Sequence, residues 1–255
     1  MMAHYLPQIG TIALSPSFEH EASDHGHPIV TEPSRWPRTP AVMHGLEPLL
    51  NARQLIVKQR KEIMEIFTGW ENNTIFEIYN ESGRLIYFVT EDYCELMGCI
   101  FGKDSPTSIR IFDGQRREIA FLNTTLKCYQ RQIEVQVPKG TVAARIDKEL
   151  IHSNPSFYIR NNLRQLMFQI RSPMPSAVIG SRSVRLDIMA GDQLTVVGQV
   201  FKQGEGFLRE VRANSDTGAY GLMIPGDMDV VWKAVLLASL FYIDYIFFSE
   251  KCDAA

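Results

Sequence analysis

The sequence predicts a mainly-β protein in which antiparallel strands follow one another as hairpins and form a barrel or a sandwich. Three observations lead to this fold class. Apolar and polar residues alternate from about residue 74 onward, short polar turns divide the alternating runs into pairs, and no helical pattern separates the pairs. A parallel α/β sheet needs a crossover helix between strands, so this pattern excludes it.

Four segments share a strand–turn–strand pattern, and they cover residues 75–89, 108–122, 157–170 and 184–200. Their turns, at residues 80–83, 113–114, 161–162 and 190–192, are rich in Asn, Asp and Gly, which tolerate positive φ. A further run, QIEVQV at residues 132–137, alternates cleanly and is closed by Pro138 and Gly140. We therefore expect about a dozen strands within one domain at residues 46–250.

The N-terminal part divides into a tail and a predicted helix. Residues 1–45 are rich in proline, contain five of the six histidines and lack apolar periodicity, which predicts a disordered tail. After Pro48, apolar residues recur at seven-residue intervals, in one series from Leu49 and in another from Leu50. This spacing predicts one amphipathic helix over residues 49–67.

The C-terminal segment is the most apolar part of the chain. From Ala234 to Phe248, only Ser239 and Asp244 are neither apolar nor aromatic. Fifteen helical residues extend about 22 Å, whereas a helix needs about 20 residues to cross a bilayer. An Asp in the middle of a membrane span would also be energetically costly. The pattern therefore predicts that residues 232–248 form a helix inside the barrel and not a membrane span. Its marker positions in either case are Ala234, Leu237, Phe241, Asp244 and Phe248.

Composition excludes several function classes. The net charge is −3 and there is no Lys/Arg cluster, so nucleic acid is not expected as a partner. No phosphate-binding P-loop motif occurs, and neither a nucleophile elbow nor a second histidine accompanies His152 outside the tail. We therefore do not expect an enzyme. Four irregularly spaced cysteines indicate a reduced, cytosol-facing domain.

Several stretches together resemble the phospholipid scramblase family. They are EIMEIFTGWENNTIFEI (62–78), GRLIYFVTED (83–92), LKCYQRQIEVQVPKG (126–140), GFLRE (206–210) and YGLMIPGDMDVVWKAVLLASLFYIDYIFF (220–248). The resemblance implies a Tubby-like fold, a closed antiparallel barrel around a buried C-terminal helix. It also implies calcium-dependent, ATP-independent movement of phospholipids between leaflets, at the cytoplasmic face of the plasma membrane or at another cellular membrane.

The resemblance further implies a calcium segment at residues 216–227. Like an EF-hand loop, it has Asp216 first, Gly221 sixth and Asp227 twelfth, but Gly218 replaces the acid expected at the third position. Expected ligands are Asp216, Asp227, a backbone carbonyl near Tyr220 or Leu222, and water at Gly218. Calcium binding should therefore be weak. The alternative interpretation is a tight hairpin with acids at its ends.

Further expectations concern lipidation and partners. The resemblance implies that Cys128 is what remains of a cysteine-rich palmitoylation tract, and an unmodified thiol is an equally good interpretation. The tail contains neither PPxY nor PxxP, so WW and SH3 partners are not expected, whereas phospholipid membranes and a homo-oligomer are. The alternative function is a peripheral lipid-binding or scaffold barrel without transport activity.

Overall fold

The computed structural model describes residues 44–60, 74–93, 107–127, 130–151, 154–172, 184–202 and 220–247. Twelve strands form one closed antiparallel barrel in which sequential strands are neighbours and β1 completes the ring against β12. The mainly-β class and the twelve-stranded closed barrel are thus confirmed. The strands are β1 (Gln54–Arg60), β2 (Thr74–Asn80), β3 (Leu85–Tyr93), β4 (Thr107–Asp113), β5 (Glu118–Lys127), β6 (Gln130–Gln136), β7 (Val142–Ile151), β8 (Asn154–Arg160), β9 (Leu166–Arg171), β10 (Val184–Ala190), β11 (Val196–Lys202) and β12 (Tyr220–Met223).

Helix α1 (Val230–Phe247) fills the interior of the barrel. Every residue from Trp232 to Ile243 is buried, which a helix apolar on all sides requires. Inward-facing strand residues such as Ile133 and Val135 belong to the same core. The prediction of a buried C-terminal helix is therefore confirmed, and Phe248 lies outside the described residues.

The predicted N-terminal helix over residues 49–67 is wrong where the structure describes it. The chain makes a 3₁₀ turn at Glu47–Leu49 and then enters β1. Leu55, Ile56 and Val57 are consecutive, and β-branched residues favour strands. The backbone of β1 forms hydrogen bonds with both β2 and β12 and so completes the barrel. These bonds stabilise a strand more than the seven-residue apolar spacing stabilises a helix. Residues 61–67 lie outside the described residues, as do residues 1–43 of the predicted tail.

Five tight turns gather at one end of the barrel, which we call the hairpin end. They join β2 to β3, β4 to β5, β6 to β7, β8 to β9 and β10 to β11, and the connection from β12 to α1 lies at the same end. Several are built alike, because an Asn or Asp side chain caps backbone N–H groups within its own turn. The capping residues are Asn80, Asp113, Asn161 and Asp192.

Candidate functional site

The residues predicted to mark the C-terminal helix lie in the core of the barrel and not on its surface. Ala234, Leu237 and Phe241 are all buried inside the barrel. The ring of Phe241 lies edge-on to Phe76, with centroids 5.2 Å apart, and to Tyr220 at 6.0 Å. Edge-to-face pairs of this kind add stability beyond the area they bury. These side chains hold the helix against the barrel wall.

Asp244 occupies the end of the helix away from the hairpin end. Its carboxylate is 3.7 Å from the Lys202 ammonium, at the end of β11. The pKa of Tyr220 is raised well above 10.0, mainly by burial and further by the carboxylates of Asp244 and Glu91. An acid in an apolar helix is therefore accommodated by a cation on the barrel wall, where the core meets solvent.

Lys233 is the most unusual residue of the helix, and the sequence pattern did not predict its role. Its side chain has no exposed surface. Its ammonium donates hydrogen bonds to four backbone carbonyls, those of Leu49 (2.9 Å), Leu50 (3.0 Å), Ala52 (3.0 Å) and Gly226 (2.7 Å). An ammonium has three protons, so two of the carbonyls share one. We call this arrangement the carbonyl cage.

The carbonyl cage fastens three parts of the chain to the start of α1. Its carbonyls come from the 3₁₀ turn, from the residues leading into β1, and from the connection before the helix. Burial lowers the pKa of Lys233 to about 8, and the acid Asp227 acts in the opposite direction. Asp229 adds a cap, because its Oδ1 accepts from the Val231 N–H at 2.9 Å. The only sequence signal was a lysine next to an apolar run.

The structure describes part of the predicted calcium segment. Tyr220 and Leu222 are buried in β12, which pairs with β1 and β11. Asp227 follows in the turn before α1, at the hairpin end, and strand geometry separates Met223 from Tyr220 by about 10 Å. Asp216 and Gly218 lie outside the described residues, so the ligand set remains a prediction.

Two further site questions concern metal ions and lipidation. Within the described ranges, no three His, Cys, Asp or Glu side chains come together in a metal-binding arrangement. Cys128 lies outside those ranges, so its acylation stays a prediction. None of the helices in the described part of the chain combines the length and the apolar character needed to cross a membrane.

A cleft of about 440 Å³ opens at the hairpin end between the β2–β3 and β4–β5 turns. Two arginines and two carboxylates are among its lining residues, which are Gly45, Glu47, Pro48, Asn80, Arg84, Leu85, Ile86, Asp113, Gly114, Gln115 and Arg117. Mixed charge of this kind can receive a small ligand that carries both signs. The sequence does not predict this cleft, because its walls come from three separate parts of the chain.

Asp113 organises the floor of the cleft. Its carboxylate accepts from the backbone N–H groups of Gln115 and Arg117, each at 2.9 Å, and from Arg117 Nε at 2.7 Å. Although burial opposes ionisation, these donors hold the pKa of Asp113 below its ordinary value. Beside it, the buried Tyr87 hydroxyl donates to the Gly45 carbonyl at 2.8 Å, and burial strongly raises the pKa of that hydroxyl.

A closed twelve-stranded barrel filled by an apolar C-terminal helix is the class of protein that the geometry defines. A family model described as Scramblase matches residues 34–250, which include all twelve strands and the helix. The chain therefore belongs to the scramblase family.

Two phospholipid scramblases of known name agree with this assignment. Phospholipid scramblase 1 of Mus musculus is 32% identical over 243 residues, which cover 92% of this chain and 72% of that protein. Phospholipid scramblase 2 of Homo sapiens is 31% identical over 249 residues, covering 90% of this chain and 82% of that protein. An X-ray structure of an Arabidopsis thaliana protein aligns with a TM-score of 0.42 and 15% identity, over 78% of this chain and 97% of that one.

Proposed function

We propose that this chain is a phospholipid scramblase, which lets phospholipids move in both directions between bilayer leaflets without ATP and in response to calcium. The observation that carries the proposal is the family match, because it spans barrel and helix together. The named relatives are phospholipid scramblases, and phospholipid is accordingly the proposed cargo. The activity is transport rather than enzyme catalysis.

The packing of the barrel constrains how such a protein works. From Trp232 to Ile243 the helix is buried against a largely apolar wall, and its polar side chains Lys233 and Ser239 bond to backbone carbonyls, so the described interior offers no polar path to a headgroup. Transport through the barrel would leave a charged headgroup without hydrogen-bond partners, at a high energetic cost. We therefore propose that lipids move around the outside of the barrel, where the protein thins or disturbs the bilayer.

The test is reconstitution into liposomes with a leaflet-specific fluorescent lipid. We expect exchange between leaflets without ATP and faster exchange when calcium is added. The matched control is the same preparation unfolded before reconstitution, which separates transport from leakage. Absence of exchange under both calcium conditions, with the protein folded and inserted, would contradict the proposal.

We propose a weak calcium site in residues 216–227, with an affinity of roughly 10⁻⁴ to 10⁻³ M because Gly218 lacks a carboxylate. In titration calorimetry, Gly218→Asp should tighten binding and Asp216→Ala should abolish it. Because β12 lies between Asp227 and the residues before Tyr220, Asp227→Ala is an informative third variant. An equal loss in both alanine variants would support one ion held by both acids. Failure of the unchanged chain and of Gly218→Asp to bind millimolar calcium would remove calcium from the function.

A second candidate function is a peripheral lipid-binding module without transport. The helix that stays inside the barrel favours it, and so does the mixed-charge cleft, since a choline, ethanolamine or serine headgroup carries both a phosphate and an ammonium. Arg84→Ala changes an exposed side chain of the cleft and should weaken binding of a soluble short-chain phospholipid. Arg185→Ala, on an exposed part of β10, is the control. Binding without leaflet exchange would favour this candidate.

We propose further that the chain acts at the cytoplasmic face of the plasma membrane or of another cellular membrane, and that it forms homo-oligomers. Acylation of Cys128 would provide only marginal, reversible anchoring, because a single acyl chain binds membranes weakly. Cellular fractionation of the chain and of Cys128→Ser tests this point. Equal membrane recovery of both would show that another surface of the protein provides the attachment.

A further inference from the structure

Exposed large apolar side chains concentrate at the hairpin end. Among the described residues, those with the most exposed surface are Leu194 at 84% and Leu163 at 77%, each in a tight turn. The other three, Leu50, Leu85 and Met223, also lie where the chain reaches this end, and none lies in the middle of a strand on the described wall. Single exposed leucines are ordinary, but two at the tips of neighbouring hairpins form a patterned surface.

The turns hold these leucines outward through hydrogen bonds. Asn161 Oδ1 accepts from the N–H groups of Leu163 and Gln165, each at 2.9 Å. Asp192 Oδ1 accepts from Leu194 N–H at 2.9 Å and from Thr195 N–H at 3.0 Å. The exposure of both leucines is therefore a property of two well-bonded turns. We call Leu163 and Leu194 the leucine tips.

Basic side chains continue the same rim. Moving around the barrel from β10–β11, the next three turns belong to β8–β9, β6–β7 and β4–β5. They present the exposed residues Arg164, Lys139, Arg116 and Arg117. Within these three turns the acids Asp113 and Glu118 are largely buried and pair with Arg117 at 2.7 Å and Lys139 at 2.9 Å. Exposed acids at the same end of the barrel, Glu47, Glu81, Asp192 and Asp227, lie outside these three turns. We call the four basic residues the basic rim.

We propose that the leucine tips and the basic rim dock this barrel onto an anionic lipid bilayer. Apolar side chains at turn tips enter the acyl boundary, and flanking cations remain at the level of acidic headgroups. Each Lys or Arg near such a surface strengthens binding by about fivefold, and Arg117 and Lys139 contribute less than this because each already pairs with a carboxylate. Attachment of this kind does not depend on whether the chain transports lipid.

The test is co-sedimentation with vesicles of phosphatidylcholine, with or without phosphatidylserine, in a calcium chelator. We expect the full-length chain to bind only the vesicles that contain phosphatidylserine. Leu163→Ser with Leu194→Ser should weaken binding by about tenfold or more. Arg116→Gln with Arg164→Gln should weaken it by about 25-fold and reduce its dependence on salt. The charge-matched control is Lys148→Gln with Arg185→Gln, which should bind like the unchanged chain.

Three outcomes would overturn the docking proposal. They are no binding by the unchanged chain, full binding by both the leucine-tip variant and the basic-rim variant, or a loss of binding in the control as large as in the basic-rim variant. Sedimentation velocity without vesicles tests the competing occupant, a second copy of the chain. Self-association that the leucine substitutions abolish, without vesicle binding, would assign the tips to a protein interface. Leaflet exchange is measured on the same vesicles. Docking without exchange would contradict only the proposed function. Exchange by leucine-tip or basic-rim variants that no longer bind the vesicles would contradict only the docking surface.

Discussion

Two charged side chains hold the hairpin end together, and each does so through backbone groups. Lys233 binds four carbonyls, and Asp113 binds two N–H groups and the Arg117 guanidinium. Charged hydrogen bonds of this kind contribute more than neutral ones, and their loss leaves buried polar groups without partners. Stability at this end of the barrel therefore depends on residues whose contacts are visible only in three dimensions.

The first prediction concerns Asp113→Asn. Because the pKa of Asp113 is lowered in the folded chain, its carboxylate stabilises the fold above the ordinary value of 3.8, and this contribution is lost as pH falls through the folded value. At pH 7 we expect a loss of about 1–2 kcal/mol in the free energy of unfolding. Urea titrations at several pH values provide the measurement. Asp147→Asn, an exposed acid paired with Arg160, is the control, and a loss for Asp113→Asn that did not shrink at acid pH would contradict the prediction.

The second prediction concerns Lys233→Met, which keeps the length of the side chain but leaves the carbonyl cage empty. At pH 7 we expect a loss of about 2 kcal/mol in stability, because several buried carbonyls lose a donor. The pKa of Lys233 is about 8 in the folded chain and has an ordinary value of 10.5, so the unfolded chain holds more protons between these values. The stability difference between the unchanged chain and the variant should therefore widen from pH 8 to pH 10.5.

Lys148→Met, at an exposed position of β7, is the control for this change and should have little effect. Chemical denaturation across the pH range provides the measurement. A difference that narrows between pH 8 and pH 10.5 would mean that the four carbonyls stabilise the ammonium more than burial destabilises it.

At the scale of elements, local pattern predicted the hairpins and failed at β1. The turns after β2, β4, β8 and β10 carry Asn, Asp or Gly where a tight turn needs them, so the sequence there is locally informative. β1 has no hairpin partner along the chain before it, and one of its two neighbours is β12, about 160 residues away. No window of sequence contains that pairing. The carbonyl cage was unpredictable for the same reason.

The third prediction tests how β12 closes the barrel. Gly221 lies opposite Ile56 of β1 and Phe201 of β11. A Cβ at this position would overlap the Leu55 carbonyl oxygen and lie 2.6 Å from Phe201 Cζ, and the backbone contact cannot move away easily. Gly221→Ala should therefore lower the free energy of unfolding by about 2 kcal/mol.

Gly114→Ala is the matched control for Gly221→Ala, because nothing lies within 4 Å of a Cβ at Gly114 and its φ is not positive. Thermal unfolding followed by circular dichroism measures both variants. Equal melting temperatures for the two alanine variants would show that the β1–β12 junction tolerates a side chain and that closure is looser than this geometry implies.

At the scale of the whole molecule, the helix and the barrel share a single core. Residues from all twelve strands and from α1 belong to one contiguous apolar cluster. Withdrawing the helix would therefore expose its own apolar surface together with the interior of the barrel. Such an opening would cost a large part of the stability of the whole fold, since a typical domain is stable by only about 5–15 kcal/mol. We therefore expect the helix to remain inside the barrel during the proposed lipid movement.

The last prediction follows from that shared core and uses Trp232 as the reporter. Trp232 is 7% exposed as a residue, and its ring lies edge-on to Phe168, with centroids 5.6 Å apart. The chain contains three tryptophans, so Trp36→Phe with Trp70→Phe leaves Trp232 as the only tryptophan, which is excited at about 295 nm to avoid exciting the tyrosines. In buffer without detergent, acrylamide should quench its fluorescence poorly.

On phosphatidylserine vesicles with brominated acyl chains, the emission of Trp232 should stay unquenched with and without calcium, while the same sample exchanges lipid. The control variant keeps only Trp36 and should be quenched by acrylamide if the tail is as disordered as its composition predicts. Calcium-dependent bromine quenching of Trp232 would instead show that the helix leaves the barrel and enters the bilayer.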